Sequence, residues 1–262
     1  MQLSKRLQTV ADTVTKGNSV ADIGCDHAYI AIYLIEEAIA PKVIAMDINK
    51  GPLQRAEENI RAKRYEKNIE TRLSDGLEKL NKSEVDTILM AGIGGALMIR
   101  ILEDGDEVLL GSKELVLSPQ SEINQVRKYL HKKNFAIVEE KMLLDEGKYY
   151  VVMKATKIVF RDEIHNQEVQ KVENLKEEYQ KNEFQKEEYL VNEYQKEVFY
   201  QYGKLLLERK EPVLWDFLKR EEKLNLEIID KLKESPSQRS DVRMAEIEDS
   251  LSIINEAFSY YK

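Results

Sequence analysis

Acidic side chains follow successive short apolar runs in the first third of the sequence. Asp22 and Asp26 belong to the first run and its loop, Asp47 ends the second run, and Asp75 follows the third. A carboxylate can accept hydrogen bonds from sugar hydroxyls and amino groups, and it can pair with an ammonium group. Each acid alone could be an ordinary turn or helix-capping residue. Acids at three successive strand ends instead predict a binding site, because ligands bind at the carboxyl ends of parallel strands.

The glycine spacing in the first loop indicates which ligand these acids would hold. A dinucleotide-binding loop needs three closely spaced glycines, whereas residues 22–27 contain only Gly24. The loop therefore suits a ligand without a pyrophosphate, and S-adenosylmethionine is such a ligand. Asp22 and Asp26 could hold its ammonium group or orient the loop, and Asp47 could accept from both ribose hydroxyls. The predicted cofactor contacts are Asp22, Gly24, Cys25, Asp26, His27, Asp47, Ile48, Asp75, Gly76, Ala91 and Gly92.

The elements that must position these residues alternate between apolar runs and amphipathic stretches as far as about residue 155. This alternation predicts an α/β fold, with a parallel sheet and crossover helices between the first six strands. Residues 145–148 alone separate the last two runs, which therefore form an antiparallel hairpin. A seven-stranded sheet with an antiparallel last strand is typical of the Rossmann-like class I methyltransferase domain. The predicted strands are 20–23, 43–46, 69–73, 85–91, 115–117, 135–144 and 149–155.

The strand signals end near residue 158, and the remaining sequence is rich in helix formers. We expect a methyltransferase domain over residues 1–158 and a C-terminal helical domain over residues 159–262. Apolar residues in the final segment alternate at steps of three and four, which predicts an antiparallel coiled coil or small bundle with an apolar face over 214–232. Aromatics recurring every five residues over 179–199 favour a lengthened helix over a base-stacking ladder. The seam residues are Met244, Ile247, Leu251, Ile254, Phe258 and Tyr261.

Composition limits the remaining functions. The one cysteine and three scattered histidines predict no metal site, and without an apolar run of about 18 residues we expect no membrane segment and a cytoplasmic protein. The net charge is −8, so affinity for nucleic acid would depend on local basic clusters. Such clusters could contact phosphates or be ordinary solvated helix faces. They comprise Arg55, Arg61, Lys63, Arg64 and Lys67, and then Arg127, Lys128, Lys132 and Lys133.

The loop after the fourth strand is the predicted substrate site. Many amino-methylating enzymes carry an Asn/Asp-Pro-Pro-aromatic motif here, but this chain has Gly92, Gly94 and Gly95 instead. The glycines would leave room for a broad planar substrate, although a plain strand-to-helix turn accounts for them equally well. After the fifth strand, the amide of Gln120 could meet a base edge or merely start the next helix. The predicted substrate contacts are Arg6, Ile93, Gly94, Pro119 and Gln120.

Four motifs carry a resemblance to a known family. They are A-D-I-G-C-D-H-A-Y-I-A-I-Y-L at 21–34, A-G-I-G-G at 91–95, L-S-P-Q at 117–120 and D-E-G-K-Y-Y at 145–150. Together they resemble the bacterial TrmK family, which methylates N1 of adenine 22 in tRNA. The resemblance spans nearly the whole chain, and it implies a class I methyltransferase domain with a C-terminal coiled coil that helps hold tRNA. The run at 179–199 looks like extra length relative to the family pattern.

The catalytic roles follow from adenine chemistry. N1 is an unprotonated nucleophile near neutral pH, so its attack on a sulfonium methyl group requires positioning more than a strong base. We expect Asp26 to stabilise the cationic product, His27 to accept a proton or orient the base, and Tyr29 to stack on it. Asp26 could instead hold only the cofactor amine, and His27 could cap the helix.

Other functions remain open from the sequence. A methyltransferase acting on a protein or small metabolite would share every cofactor residue. A non-catalytic RNA-binding scaffold would use the helical part alone, and a nicotinamide oxidoreductase would need the missing glycines. We expect a monomer.

Overall fold

Seven strands form one mixed sheet in the computed structural model, which describes residues 3–158, 197–234 and 237–262. The strand order is β3-β2-β1-β4-β5-β7-β6, with β1 to β5 parallel and β7 antiparallel to both of its neighbours. This arrangement confirms the predicted class I methyltransferase topology. The strands are β1 Val20–Ile23, β2 Val43–Asp47, β3 Ile69–Leu73, β4 Thr87–Ala91, β5 Glu114–Ser118, β6 Phe135–Asp145 and β7 Lys148–Lys157.

The strand order reverses beside β1, which pairs with β2 on one side and with β4 on the other. A crevice opens above the carboxyl ends of the strands at such a reversal, and open α/β sheets bind their ligands there. Strands β1, β2 and β5 are buried along their whole length. Continuous burial explains why their sequences are apolar runs rather than alternating patterns.

Helices cover both faces of the sheet. They are α1 Lys5–Ala11, α2 Tyr29–Glu36, α3 Lys50–Lys63, α4 Gly95–Asp104, α5 Asp106–Leu109 and α6 Ile123–Lys132. The expectation of a helix in every crossover is wrong between β3 and β4, where residues 74–86 form turns. Leu77, Leu80 and Val85 are buried there without helical structure. Side chains satisfy the turn backbone, because Ser74 accepts from the Lys79 N–H at 3.1 Å.

Four further helices follow in the described C-terminal residues: α7 Glu197–Tyr202, α8 Lys204–Glu208, α9 Pro212–Glu234 and α10 Gln238–Ser259. Helices α9 and α10 run antiparallel, because the end of the chain returns to the start of α9. The Tyr261 hydroxyl donates to the Glu211 carbonyl at 2.8 Å, and Trp215 contacts the ring of Phe258. Ile247 and Ile254 of the predicted seam are buried. A coiled coil in the strict sense stays a prediction.

The C-terminal helices share one hydrophobic cluster with the sheet, in which Phe199 and Leu206 are buried together with Met142 and Met153. The boundary between a methyltransferase domain and a helical domain at residue 158 stays a prediction. The expected start of the helical domain, and most of the aromatic repeat, lie in 159–196, outside the described residues. Within the described residues no helix is long and apolar enough to cross a membrane.

Candidate cofactor and substrate site

The loop after β1 turns sharply over the end of β2. Gly24, Asp26 and Ala28 all have positive φ angles, of 75°, 46° and 58°. The backbone N–H groups of Gly24 and Cys25 both donate to the Met46 carbonyl, at 2.8 and 3.0 Å. A left-handed conformation costs a non-glycine residue roughly 1–2 kcal/mol, so the loop holds strain at a candidate ligand site. Helix α2 then begins with Ala28 as its N-cap, which leaves His27 free of a capping role.

Two acids are buried at the ends of β1 and β2. Asp47 accepts from the Asn49 N–H at 2.8 Å and from the Asp26 N–H at 3.4 Å. Asp22 is 3% exposed, and its Oδ2 atom has no hydrogen-bond partner. Burial, and secondarily the charge of Asp47, raise the pKa of Asp22 to about 7. An unpartnered buried carboxylate is costly, and a cationic ligand would remove that cost.

The three predicted catalytic residues lie close together, Asp26 and His27 on this loop and Tyr29 at the start of α2. Asp26 is 63% exposed, with its Oδ1 atom 3.5 Å from His27 Nε2 and 3.6 Å from an Arg55 guanidinium nitrogen. The His27 ring stacks on Tyr29 with centroids 5.0 Å apart and planes 12° from parallel. Asn59 fixes the loop from α3 by donating to the His27 carbonyl at 3.0 Å. Arg55 was predicted only as part of a basic cluster, and the structure adds it to the site.

The third predicted acid stands further along the same edge of the sheet. Asp75 is about half exposed and lies 3.8 Å from Arg100. Gly76 has a φ of 51°, and a Cβ atom there would come within 2.9 Å of Ile101 Cγ2, so a larger residue would not fit. Ile48, at 56% exposure, and the exposed Leu73 leave apolar surface beside Asp47. This edge can therefore receive a planar ligand between acid groups.

The glycine loop after β4 meets side chains from distant elements. A Cβ atom on Gly92 would lie 3.4 Å from Arg6 Nη1 and 3.7 Å from Gln120 Nε2. The Arg6 Nη1 atom is buried without a hydrogen-bond partner, and its guanidinium lies 5.1 Å from the ring centre of Tyr150. The Arg6 N–H donates to Asp145 at 3.0 Å. The contacts of Asp145 and Tyr150 with Arg6 were not predicted, because these residues lie 139 or more positions from Arg6 in the sequence.

The remaining predicted residues support this loop. Ile93 accepts from the Gln120 N–H at 2.9 Å, and its Cγ2 atom lies 3.7 Å from where a Cβ on Gly24 would be, so the loops after β1 and β4 touch. Gly94 is the N-cap of α4, and Pro119 is buried. Ala91 is half-buried, and Cys25 is buried. Ser118 Oγ, at the end of β5, is like Asp22 Oδ2 and Arg6 Nη1 a buried atom without a hydrogen-bond partner.

The prediction that the second basic cluster lies on the surface, where it could contact phosphates, is wrong for Arg127. Arg127 is 1% exposed and pairs with the buried Glu140 at 2.8 Å. Lys128 and Lys133 pair with Glu197 and Asp106, at 2.9 and 2.6 Å. Among the described residues no three His, Cys, Asp or Glu side chains form a potential metal site.

Comparisons with known proteins agree with this geometry. Residues 3–153 match the family model described as a methyltransferase domain. The tRNA (adenine(22)-N(1))-methyltransferase of Bacillus subtilis is 40% identical over 155 residues, which are 59% of this chain and 65% of that enzyme, so the aligned part spans somewhat less than two thirds of that relative.

Two solved structures align with almost the whole chain. The B. subtilis m1A22 tRNA methyltransferase TrmK is 28% identical, with a TM-score of 0.77 and 98% of both chains covered. A putative tRNA (m1A22) methyltransferase of Streptococcus pneumoniae, in complex with S-adenosyl-L-methionine, is 26% identical, with a TM-score of 0.73 and 98% of this chain and 99% of that chain covered. The chain therefore belongs to the methyltransferase-domain family, and it is similar in sequence and fold to the TrmK enzyme of B. subtilis.

Proposed function

We propose that this chain transfers a methyl group from S-adenosylmethionine to N1 of an adenine in tRNA, at position 22. The observation that carries the proposal is the buried Asp22 carboxylate at the switch point of the sheet, whose Oδ2 atom has no hydrogen-bond partner, at the end of the strand that leads into the strained loop of Asp26 and His27. Relatives named as tRNA (adenine-22, N1) methyltransferases support the substrate and the position. The neutral adenine, rather than a charged group, is the nucleophile.

The residues present fit the cofactor. Asp22 would pair with its ammonium group, Asp47 would accept from the ribose hydroxyls, and Asp75 would accept from the adenine amine. Exposed Ile48 would lie against the adenine face. When bound, the cofactor supplies a methyl group activated by the adjacent sulfonium. The relative from S. pneumoniae solved with S-adenosyl-L-methionine supports this assignment.

The residues of the chain then orient the target base. Asp26 accepts from the exocyclic amine and stabilises the positive charge that methylation places on the ring, aided by its exposed position beside His27. His27 and Tyr29, already stacked on each other, provide a flat aromatic surface for the base. Arg6 and Gln120 converge on Gly92, where their nitrogen atoms can donate to the substrate. Direct transfer then needs no residue to remove a proton from N1.

The test is methylation of unmodified tRNA by the full chain with labelled cofactor, followed by primer extension to map the modified base. We expect a stop at adenine 22, because N1 methylation blocks base pairing. Asp26→Asn should lower kcat by about 10²-fold, on the scale of one lost electrostatic contact, with little change in the Kd for tRNA. Glu66 is an exposed acid in the turn between α3 and β3. Glu66→Gln makes the same change in charge as Asp26→Asn and should leave kcat unchanged.

Two results would count against the proposal. Methylation of a protein or metabolite but not of tRNA would support the protein or small-metabolite reading. No cofactor binding in calorimetry would support a scaffold. A cytoplasmic location, in keeping with tRNA as the substrate, and a monomer, in keeping with a site built from one chain, are also part of the proposal.

A further inference from the structure

A groove of about 460 Å³ lies between the β6–β7 hairpin turn and helix α9, next to the substrate loop. The hairpin turn is at the carboxyl end of the sheet, because Leu115 pairs with Ala155 and Leu117 with Met153, so β7 approaches its start as β5 approaches its end. The groove is thus at the same edge as the candidate active site. Its lining includes Gln120, Lys148, Tyr149, Tyr150, Phe217 and Arg220.

The lining combines aromatic rings with cationic groups. Tyr149 and Phe217 meet edge to face, with ring centroids 5.1 Å apart. The Arg220 guanidinium lies 5.8 Å from the centre of the Tyr149 ring, and both Lys148 and Arg220 are exposed. Aromatic rings flanked by cations are the chemistry with which proteins bind unpaired nucleotides, since a base stacks on a ring while a cation meets its phosphate.

One acid also lines the groove, and it does not oppose an anionic ligand as a fully exposed carboxylate would. Glu221 accepts a hydrogen bond from the Tyr202 hydroxyl at 3.3 Å. Burial raises the pKa of Glu221. Its neighbour Arg220 is a compensating positive charge. Glu221 is therefore half-buried and bound to Tyr202, and its carboxyl oxygens can also accept from a base amine.

The groove is continuous with the target site through two side chains. Gln120 lines the groove, and its Nε2 atom is one of the groups beside Gly92. Tyr150 also lines the groove, and its ring contacts Arg6, whose Nη1 atom is the other group beside Gly92. An RNA strand that leaves the target site past Gly92 therefore meets Gln120 and Tyr150, which already line the groove. The volume is in the range of pockets that hold one small ligand.

We propose that this groove binds the nucleotide adjacent to the target adenine in the tRNA, with its base against Tyr149 and its phosphate at Arg220 and Lys148. The proposal rests on the proposed function, because it needs tRNA as the substrate. Protein partners fit less well, since Phe217 and the exposed Leu224 are the wholly apolar side chains in the lining. By binding the neighbouring nucleotide, the subsite would help the enzyme to distinguish the target adenine from other adenines in the tRNA.

The first test compares substitutions on the two walls of the groove. Tyr149→Leu should weaken tRNA binding roughly 5- to 100-fold, the range for one stacked base, and Tyr149→Phe should restore it because the ring remains. Arg220→Met should raise the KM for tRNA and reduce by about one the slope of log Kd against log salt, as expected for one lost phosphate contact.

Two controls separate these effects from general damage. Lys223→Met changes an exposed cation on the same helix that does not line the groove, and it should leave the KM for tRNA unchanged. The Kd for S-adenosylmethionine should stay at the wild-type value in all four variants, because a misfolded Tyr149→Leu protein would lose it.

The decisive experiment uses unmodified tRNA with an abasic site on one side or the other of the target adenine. For one of these two abasic tRNAs, the Kd with the wild-type protein should equal the Kd of intact tRNA with Tyr149→Leu. The Tyr149→Leu variant should bind that abasic tRNA no more weakly than it binds intact tRNA. Fully additive losses with both substrates, or unchanged tRNA binding in Tyr149→Leu and Arg220→Met, would overturn the subsite. A wild-type protein that methylates no tRNA would instead overturn the proposed function, and the subsite with it.

Discussion

Replacement of Asp22 by asparagine should stabilise the cofactor-free protein at high pH while weakening cofactor binding. The pKa of Asp22 rises from 3.8 to about 7 through burial and, secondarily, through the charge of Asp47. A folded-state pKa above the unfolded value means that the folded protein binds the proton more tightly. The contribution of Asp22 to the free energy of unfolding is therefore highest below about pH 4 and falls as the pH rises toward 7, at about 1.4 kcal/mol per pH unit.

The magnitude follows from this shift of about three units. The raised pKa of Asp22 costs the fold about 4 kcal/mol at pH 8, where the buried group is ionised, and about 2 kcal/mol at pH 5, where the group must take up a proton on folding. Asparagine cannot ionise, but its buried amide donor would lack a partner, which costs about 1–3 kcal/mol at every pH. Asp22→Asn should therefore be more stable than wild type by about 1–3 kcal/mol at pH 8 and nearly equal to it at pH 5.

Urea denaturation of both proteins over pH 5 to 8, without cofactor, measures this difference. Asp86→Asn is the matched control, because a hydrogen bond from Lys113 and then one from the Ser19 backbone lower the pKa of Asp86 to about 2. Stability from Asp86 is lost only as the pH falls toward 2, so that variant should be destabilised equally at pH 5 and pH 8. An Asp22→Asn protein less stable than wild type at pH 8, with an unchanged pH dependence, would refute the reasoning.

Three further variants probe the cofactor loop, the substrate loop and the core. Asp47→Ala removes the acceptor of two loop N–H groups and of the ribose hydroxyls, so calorimetry should show cofactor binding at least about tenfold weaker, whereas an unchanged Kd would contradict its role. Gly92→Ala adds a Cβ atom 3.4 Å from Arg6 Nη1 at a φ of 85°, so single-turnover methyl transfer should fall about tenfold or more with the cofactor Kd near wild type; equal rates would mean that the loop tolerates the added atom. Arg127→Met leaves Glu140 charged and buried, so urea unfolding should show a loss of about 3–5 kcal/mol that methionine at both positions largely restores.

The strands were predictable because their physical cause is local. Strands β1 and β3 have the predicted bounds, and the others begin and end within two residues of them, since burial of a parallel strand requires a continuous apolar run. The segment between β3 and β4 was not predictable in this way. Leu77, Leu80 and Val85 have a spacing that a helix would also show. Turns form instead, because the side chains of Ser74 and Glu84 accept hydrogen bonds from backbone N–H groups of the segment.

The same distinction between local and distant causes applies to the residues of the candidate site. Asp22, Asp47 and Asp75 could be found from the sequence because strand topology alone brings the ends of β1, β2 and β3 to one edge. The Arg6 contacts could not, because they depend on how α1 packs against a hairpin distant in sequence. Arg127 was misread as a surface cation, since nothing local to its helix reveals that a strand residue would neutralise it in the core.

The buried Arg127 anchors the described C-terminal helices to the sheet. Its Nη1 atom donates to the carbonyls of Tyr200 and Gln201, at 2.8 and 3.0 Å, while its Nε atom pairs with Glu140 of β6. The following Gly203 has a φ of 86°, and a Cβ atom there would lie 2.5 Å from the Glu140 carboxylate, so the chain can pass this pair only as glycine. The start of the C-terminal helices is thus fastened to the strand that forms the hairpin. The ion pair therefore anchors the segment that leads into α9, one wall of the groove, to β6, a strand of the hairpin that forms the other wall.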